Sequence, residues 1–216
     1  MNLSDTKPKV TVCKGEREMT QTSSIHPFIL WSKNRLDEME AAILEVEKDS
    51  SKAKEDVKAG VAATLAKAKQ SLDDFKVRMQ SNIQEVEKKG EVASTSAKQE
   101  MQQDWKKFEE AISAAVARLN NGQKEFEARA AAQLKSWQET IEKCNKAAAG
   151  IAVDQKESLN AALKRMQDKA QEGKQHFADV RQAASNSSEA YRVALKKCRE
   201  AFEEAYESTK SKLAKV

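Results

Sequence analysis

Leu119-Asn120-Asn121-Gly122-Gln123 is the most turn-like stretch within residues 28–216, a span that holds no proline. Asn and Gly both tolerate the left-handed backbone that ends helices. On either side lie near-equal arms, 28–120 and 123–216, written in the same alanine-, glutamate- and lysine-rich pattern. The stretch therefore predicts a fold-back and an all-α protein, either an elongated long-helix hairpin or an antiparallel helical bundle, coiled-coil-like in texture. A simple hairpin folded at Asn121 would set Trp105 beside Trp137, Phe108 beside Leu134, Met101 beside Ile141, Ile83 beside Leu159 and Leu65 beside Phe177.

Composition points the same way. Of 216 residues, 39% are hydrophobic and 33% charged, the latter above the usual quarter. Alanine, Glu, Lys, Gln and Arg lose little rotamer freedom in a helix, so this mixture favours long helices over a thick core. The charges are interleaved and the net charge is only +4. Spaced pairs such as Glu85–Lys89, Glu139–Lys143 and Glu142–Lys146 read as a solvated helix face. A nucleic-acid binder would carry a basic stripe with groove-reading elements, so that function is disfavoured.

Residues 1–25 mix Lys, Ser, Thr and Glu without a period and include Pro8 and Gly15. They read as a flexible tail ahead of a helical domain spanning 26–216. Pro27 suits a first helical turn, which needs no amide donor there. The dense apolar run Phe28-Ile29-Leu30-Trp31 that follows is either a clamp between the arms, the favoured reading, or a docking motif. Ser185-Asn186-Ser187-Ser188 ranks second among the helix breaks and would cap a helix at Glu189. Gly60, Gly90, Gly150 and Gly173 are weaker breaks that do not force a stop.

An apolar stripe runs along both arms. Its large members, the candidate surface-binding or self-association residues, are Trp31, Phe75, Met79, Trp105, Phe108 and Ile112 in the first arm. In the second they are Phe126, Leu134, Trp137, Ile141, Phe177, Tyr191 and Phe202. The mean step is about 3.6 residues, the period of an unsupercoiled α-helix. A strict 3.5-residue zipper is disfavoured, since the two patterns drift apart by about 20° per heptad. Lys69-Gln70-Ser71-Leu72 loosely recurs at Lys98-Gln99-Glu100-Met101, but no repeat array of constant spacing follows.

Chemistry is sparse. His26 and His176 stand in no metal-ligand pattern, and no phosphate loop or nucleophile elbow is present. No catalytic, metal or cofactor residue is expected, and an enzyme is not. Cys13, Cys144 and Cys198 are too scattered for a disulfide framework and imply a reduced, cytoplasmic setting. The start lacks the pattern of a signal peptide, and no apolar run reaches spanning length. Cys144 and Cys198 fall on the stripe as small hydrophobes. Nearby Lys143, Lys196, Lys197 and Arg199 keep a thiol role in view.

Segments such as Lys135-Ser136-Trp137-Gln138-Glu139-Thr140-Ile141 and Ser188-Glu189-Ala190-Tyr191-Arg192-Val193-Ala194-Leu195 resemble bacterial phasin-like proteins and, more distantly, exchangeable apolipoproteins. The likeness lies in alanine-rich amphipathic texture over 28–216. It implies a soluble, oligomerising helical protein that coats polyester granules or another hydrophobic or lipid surface, with peripheral attachment there. The alternative is a cytosolic scaffold or adaptor acting through self-association and protein partners.

Overall fold

The computed structural model describes residues 26–89, 91–151, 153–183 and 187–213, with backbone alone for 87, 91–92 and 153–155. The expected tail, 1–25, lies outside the described residues. Six helices make up the fold: α1 (Pro27–Ser50), α2 (Glu55–Lys89), α3 (Glu91–Leu119), α4 (Gly122–Ala149), α5 (Val153–Gln182) and α6 (Ser188–Leu213). Among the described residues there is no strand. The protein is an all-α antiparallel helical bundle.

Local sequence explains the helix ends. At the start of α1, Pro27 takes the first helical position and His26 Nδ1 accepts the Phe28 amide at 3.2 Å. The fold-back after α3 rests on Asn120, whose φ of 52° is the left-handed conformation expected there. The Asn121 amide then reaches back to the Val116 carbonyl at 3.4 Å. At the start of α6, Ser187 Oγ accepts the Ala190 amide at 3.3 Å, the side-chain capping its serine cluster promised.

The arms are not continuous helices. α1 stops at Ser50, where no break was expected; Ser51 Oγ donates to the Lys48 carbonyl at 2.7 Å and satisfies a group the next turn would have used. α4 also ends at Gly150, where glycine was expected only to weaken a helix, and α2 and α3 are separate helices that end at Lys89 and start at Glu91; Gly90 itself lies outside the described residues. Gly60 and Gly173 do lie inside helices, as expected.

Each arm instead closes on itself. α1, α2 and α3 pack around one apolar core and α4, α5 and α6 around another, and the two lobes meet where α1 lies against α4. α1 and α4 run antiparallel: Asn34 meets Ser136 near one end, and Lys124 Nζ reaches Asp49 Oδ2 at 2.9 Å at the other. The hairpin pairings are therefore replaced. Trp105, Phe108, Met101, Leu65 and Ile83 belong to the first core, whereas Trp137, Leu134, Ile141, Phe177 and Leu159 belong to the second. The stripe's period says which face is buried, not which helix covers it.

The lobes repeat one another. Phe28 and Phe126, Leu36 and Leu134, Ile43 and Ile141, and Leu65 and Leu163 are identical pairs 98 positions apart, each buried or half-buried. Met39 and Trp137, Val61 and Leu159, Ala68 and Met166, and Phe75 and Gly173 share that offset. In the third helix of each lobe it is 90: Met101 matches Tyr191, Trp105 Leu195, Phe108 Cys198 and Ile112 Phe202. Bulk is redistributed within the pattern. Where the first lobe has Met39 and Phe75, the second has Trp137 and Gly173, and a Cβ built on Gly173 would stand 2.8 Å from Trp137 Cζ3.

Candidate functional site: two closed stripes and the charged seam between them

All thirteen stripe residues are turned into the lobes. Phe75, Phe108, Trp137 and Phe202 are fully buried, and Trp31, Trp105, Ile112, Phe126, Phe177 and Tyr191 are buried. Met79, Leu134 and Ile141 are half-buried against the same cores. Aromatic contacts tie the second lobe together: Trp137 stacks on Phe202 at 4.8 Å and Phe126 on Tyr191 at 4.6 Å between ring centroids. Burying such a ring stabilises by roughly 1.5–3 kcal/mol. Exposed large hydrophobics among the described residues are the scattered Leu44, Val77 and Val193.

The first turn of α1 spans both lobes. Phe28 and Trp31 enter the first core while Leu30, between them, enters the second. That is the clamp arrangement rather than an exposed docking motif.

The seam is made of other chemistry. Glu38, fully buried on α1, takes the Gln133 amide on Oε1 at 2.8 Å and Arg129 Nη2 on Oε2 at 3.3 Å. Arg199 from α6 approaches the same carboxylate, Nε to Oε1 at 3.1 Å. Arg129 also holds Glu125 at 3.0 Å and Glu109 at 3.1 Å, and Arg35 donates to Glu203 at 2.6 Å. Trp105 sits among the guanidiniums of Arg199, Arg129 and Arg35, at 4.8, 5.5 and 5.7 Å from its ring centroid. Each lobe thus contributes both signs of charge.

Burial alone would lower the Arg129 pKa, but Glu125, Glu38 and Glu109 outweigh it and hold the guanidinium above its ordinary value. For Arg35 burial wins: its pKa is lowered, with Arg199 adding to the effect and Glu203 opposing it. A seam of this kind is poor glue, because desolvating the ions offsets most of their attraction. Asn34 Nδ2, Gln133 Oε1 and the Nε atoms of Arg35 and Arg129 make no hydrogen bond within the protein. What such a seam supplies is register. Glu38 meets its partners in one alignment of α1 on α4.

The sequence reading missed this cluster because Glu38, Arg129 and Arg199 look like solvated charges. A signal was available. Each stands next to a buried apolar residue, beside Met39, Ala130 and Cys198, and so falls at the edge of an inward face. Of the expected i,i+4 pairs, Glu85–Lys89 closes at 3.2 Å, while Glu139 reaches across the seam to Lys33 at 3.2 Å.

No family model, curated protein or solved structure matches this chain. Its chemistry has to be read from its own residues. Cys144 and Cys198 are buried, and burial pushes each thiol up to about 11, only partly offset by Lys143 and Lys197. The nearby lysines do not activate them. Among the described residues no group of three or more His, Cys, Asp or Glu could hold a metal ion, and no helix is long and apolar enough to cross a membrane. A cavity of about 320 Å³ lies between the 120–124 turn and the start of α6. The one charged residue among the described lining, Lys124, is already paired with Asp49.

Proposed function

We propose that this chain is a non-catalytic amphipathic coat for a hydrophobic surface, such as a polyester granule or lipid body. It is held in a closed form until the helices of its lobes part. One observation carries the reading: the whole stripe is folded inward into lobes only three helices thick. Parting α1 from the α2–α3 hairpin, or α4 from α5–α6, would present that stripe to an apolar surface without unwinding any helix. Packing between helices would then give way to packing against the surface, so the net free-energy change is far smaller than the gross burial.

A second reading, a scaffold acting through protein partners, is favoured by the closed form itself. Among the described residues its outer surface is charged and offers only scattered large apolar side chains.

Co-sedimentation with polyester granules and with neutral and anionic vesicles, at low and high salt, separates the two. Salt-resistant binding is expected. In the variant Glu47→Cys/Lys69→Cys, a short bis-maleimide would tie α1 to α2, where Lys69 Nζ and Glu47 Oε1 stand 2.5 Å apart. Cross-linking should remove the first lobe's share of the binding and leave what the second lobe supplies. Unlinked protein that ignores every surface would sink the coat reading and leave the scaffold; linked protein that binds undiminished would sink the opening of the first lobe.

A further inference from the structure

We infer that the chain closes reciprocally with a second copy of itself, the α1–α3 lobe of one protomer seated on the α4–α6 lobe of its partner. This goes beyond the coat reading and does not depend on it.

Four observations converge. Apart from Leu30, which α1 lends to the second core and a partner copy would supply in turn, the lobes have separate apolar cores, so exchanging them between copies breaks neither core. Between α3 and α4 the only residues outside a helix are Asn120 and Asn121. That junction interrupts the rod at one left-handed residue and an uncapped helix start. Asn120 holds a φ of 52°, and Asn121, at the cap position of α4, turns its side chain to Asp49 at 3.3 Å and makes no side-chain cap hydrogen bond. Making the two asparagines helical would relieve the left-handed residue and join the open amides of α4 to the open carbonyls of α3.

The apolar stripe is in phase for that change. Ile112, Val116, Leu119, Phe126 and Ala130 follow steps of four, three, seven and four, so a helix running straight through the turn keeps one apolar face. The flanks, Ala114-Ala115-Val116-Ala117-Arg118-Leu119 and Gln123-Lys124-Glu125, contain mostly strong helix formers. Once α3 and α4 form a single rod, the two lobes of one chain can no longer meet. The seam of each is then completed only by another copy, Glu38 of one protomer taking Arg129 and Arg199 of its partner. Its polar specificity ensures that the occupant is this same surface and not any apolar one.

The test is a disulfide across the seam. Asn34 and Ser136, whose side chains hydrogen-bond, become Asn34→Cys and Ser136→Cys in a chain carrying Cys13→Ser, Cys144→Ala and Cys198→Ala. The chain is refolded over a range of concentrations, oxidised and run on non-reducing gels beside light-scattering mass measurements. Reciprocal closure predicts covalent dimers of twice the 24.1 kDa chain mass, in a fraction that rises with concentration. Asn120→Ala/Asn121→Ala/Gly122→Ala should raise that fraction several-fold. Asn120→Gly, which accepts the left-handed turn freely, should lower it several-fold. Monomer at every concentration with both the parent and the triple-alanine turn would overturn the inference. So would a dimer by scattering whose disulfides all lie within single chains.

Discussion

Gly173 on α5 faces the ring of Trp137 on α4 so closely that no side chain fits between them: a Cβ there would lie 2.8 Å from Cζ3 and 3.3 Å from Cη2. The indole cannot retreat, because it is fully buried and stacked on Phe202. Gly173→Ala should therefore destabilise the fold by about 1 kcal/mol, an overpacking cost of roughly 1–3 kcal/mol less about 1 kcal/mol of helix propensity. A chain of this length would lose roughly 2–4 °C in Tm. Gly150, with nothing within 4 Å of a built Cβ and a φ of −84°, is the control. Gly150→Ala should leave Tm unchanged or raise it, as thermal denaturation followed by circular dichroism would show.

Glu38→Ala should be the more damaging change, at about 3–5 kcal/mol, because it leaves Arg129 and Arg199 facing an empty place in a buried seam. A double-mutant cycle makes this specific. Glu38→Ala/Arg199→Ala should cost less than the two single changes added together, since the second removes a charge the first has stranded. Strict additivity in urea titrations would show that the 3.1 Å approach of Arg199 to Glu38 carries no coupling.

Acid should loosen the end of the bundle where the lobes join. Hydrogen bonds from Lys124 and Asn121 hold the Asp49 carboxyl below its usual value despite desolvation. A depressed folded-state pKa contributes stability that is fully present above the ordinary aspartate value of about 3.9 and lost as pH falls through the lower one. The partner runs the other way. Lys124 is raised by Asp49, so its contribution persists below the ordinary lysine value of about 10.4 and fades above it. Asp49→Asn should flatten the stability profile at both extremes relative to the parent, measured by denaturant midpoint against pH.

Cys144 and Cys198 should react slowly with alkylating reagents at neutral pH, since burial both hides the sulfurs and raises their pKa to about 11. Mass spectrometry of pulse-labelled protein would show both protected in the closed form. Labelling that quickens on contact with polyester or lipid would report the lobes parting. Fast labelling of either in free protein would reopen a thiol role.

Much of the fold was legible because its signals are local. Pro27 marked a helix start, Asn120-Asn121-Gly122 a reversal, and the stripe the buried face. Partners were not legible, since Trp105 and Trp137 fall on matching stripes yet sit in different cores. Nor was the stop at Ser50, which depends on a serine hydroxyl taking a backbone carbonyl. The repeat could have been found: four identical pairs 98 residues apart, from Phe28/Phe126 to Leu65/Leu163, are visible without a structure. The seam was hidden for a physical reason. Glutamate and arginine at a helix edge face water in almost every helix, and only the docking of α1 on α4 makes Glu38 an interior ion.

Two halves built on one pattern face a hazard during folding, because α4 has the shape to settle on α2 and α3, and α1 on α5 and α6. The exchange of bulk between Met39/Phe75 and Trp137/Gly173 makes both mistakes costly. A misplaced α4 would drive an indole against Phe75, and a misplaced α1 would leave Met39 over the bare backbone of Gly173, a clash in one hybrid and a void in the other. The mismatch thus acts as a proofreading device, letting a duplicated architecture tell its first half from its second.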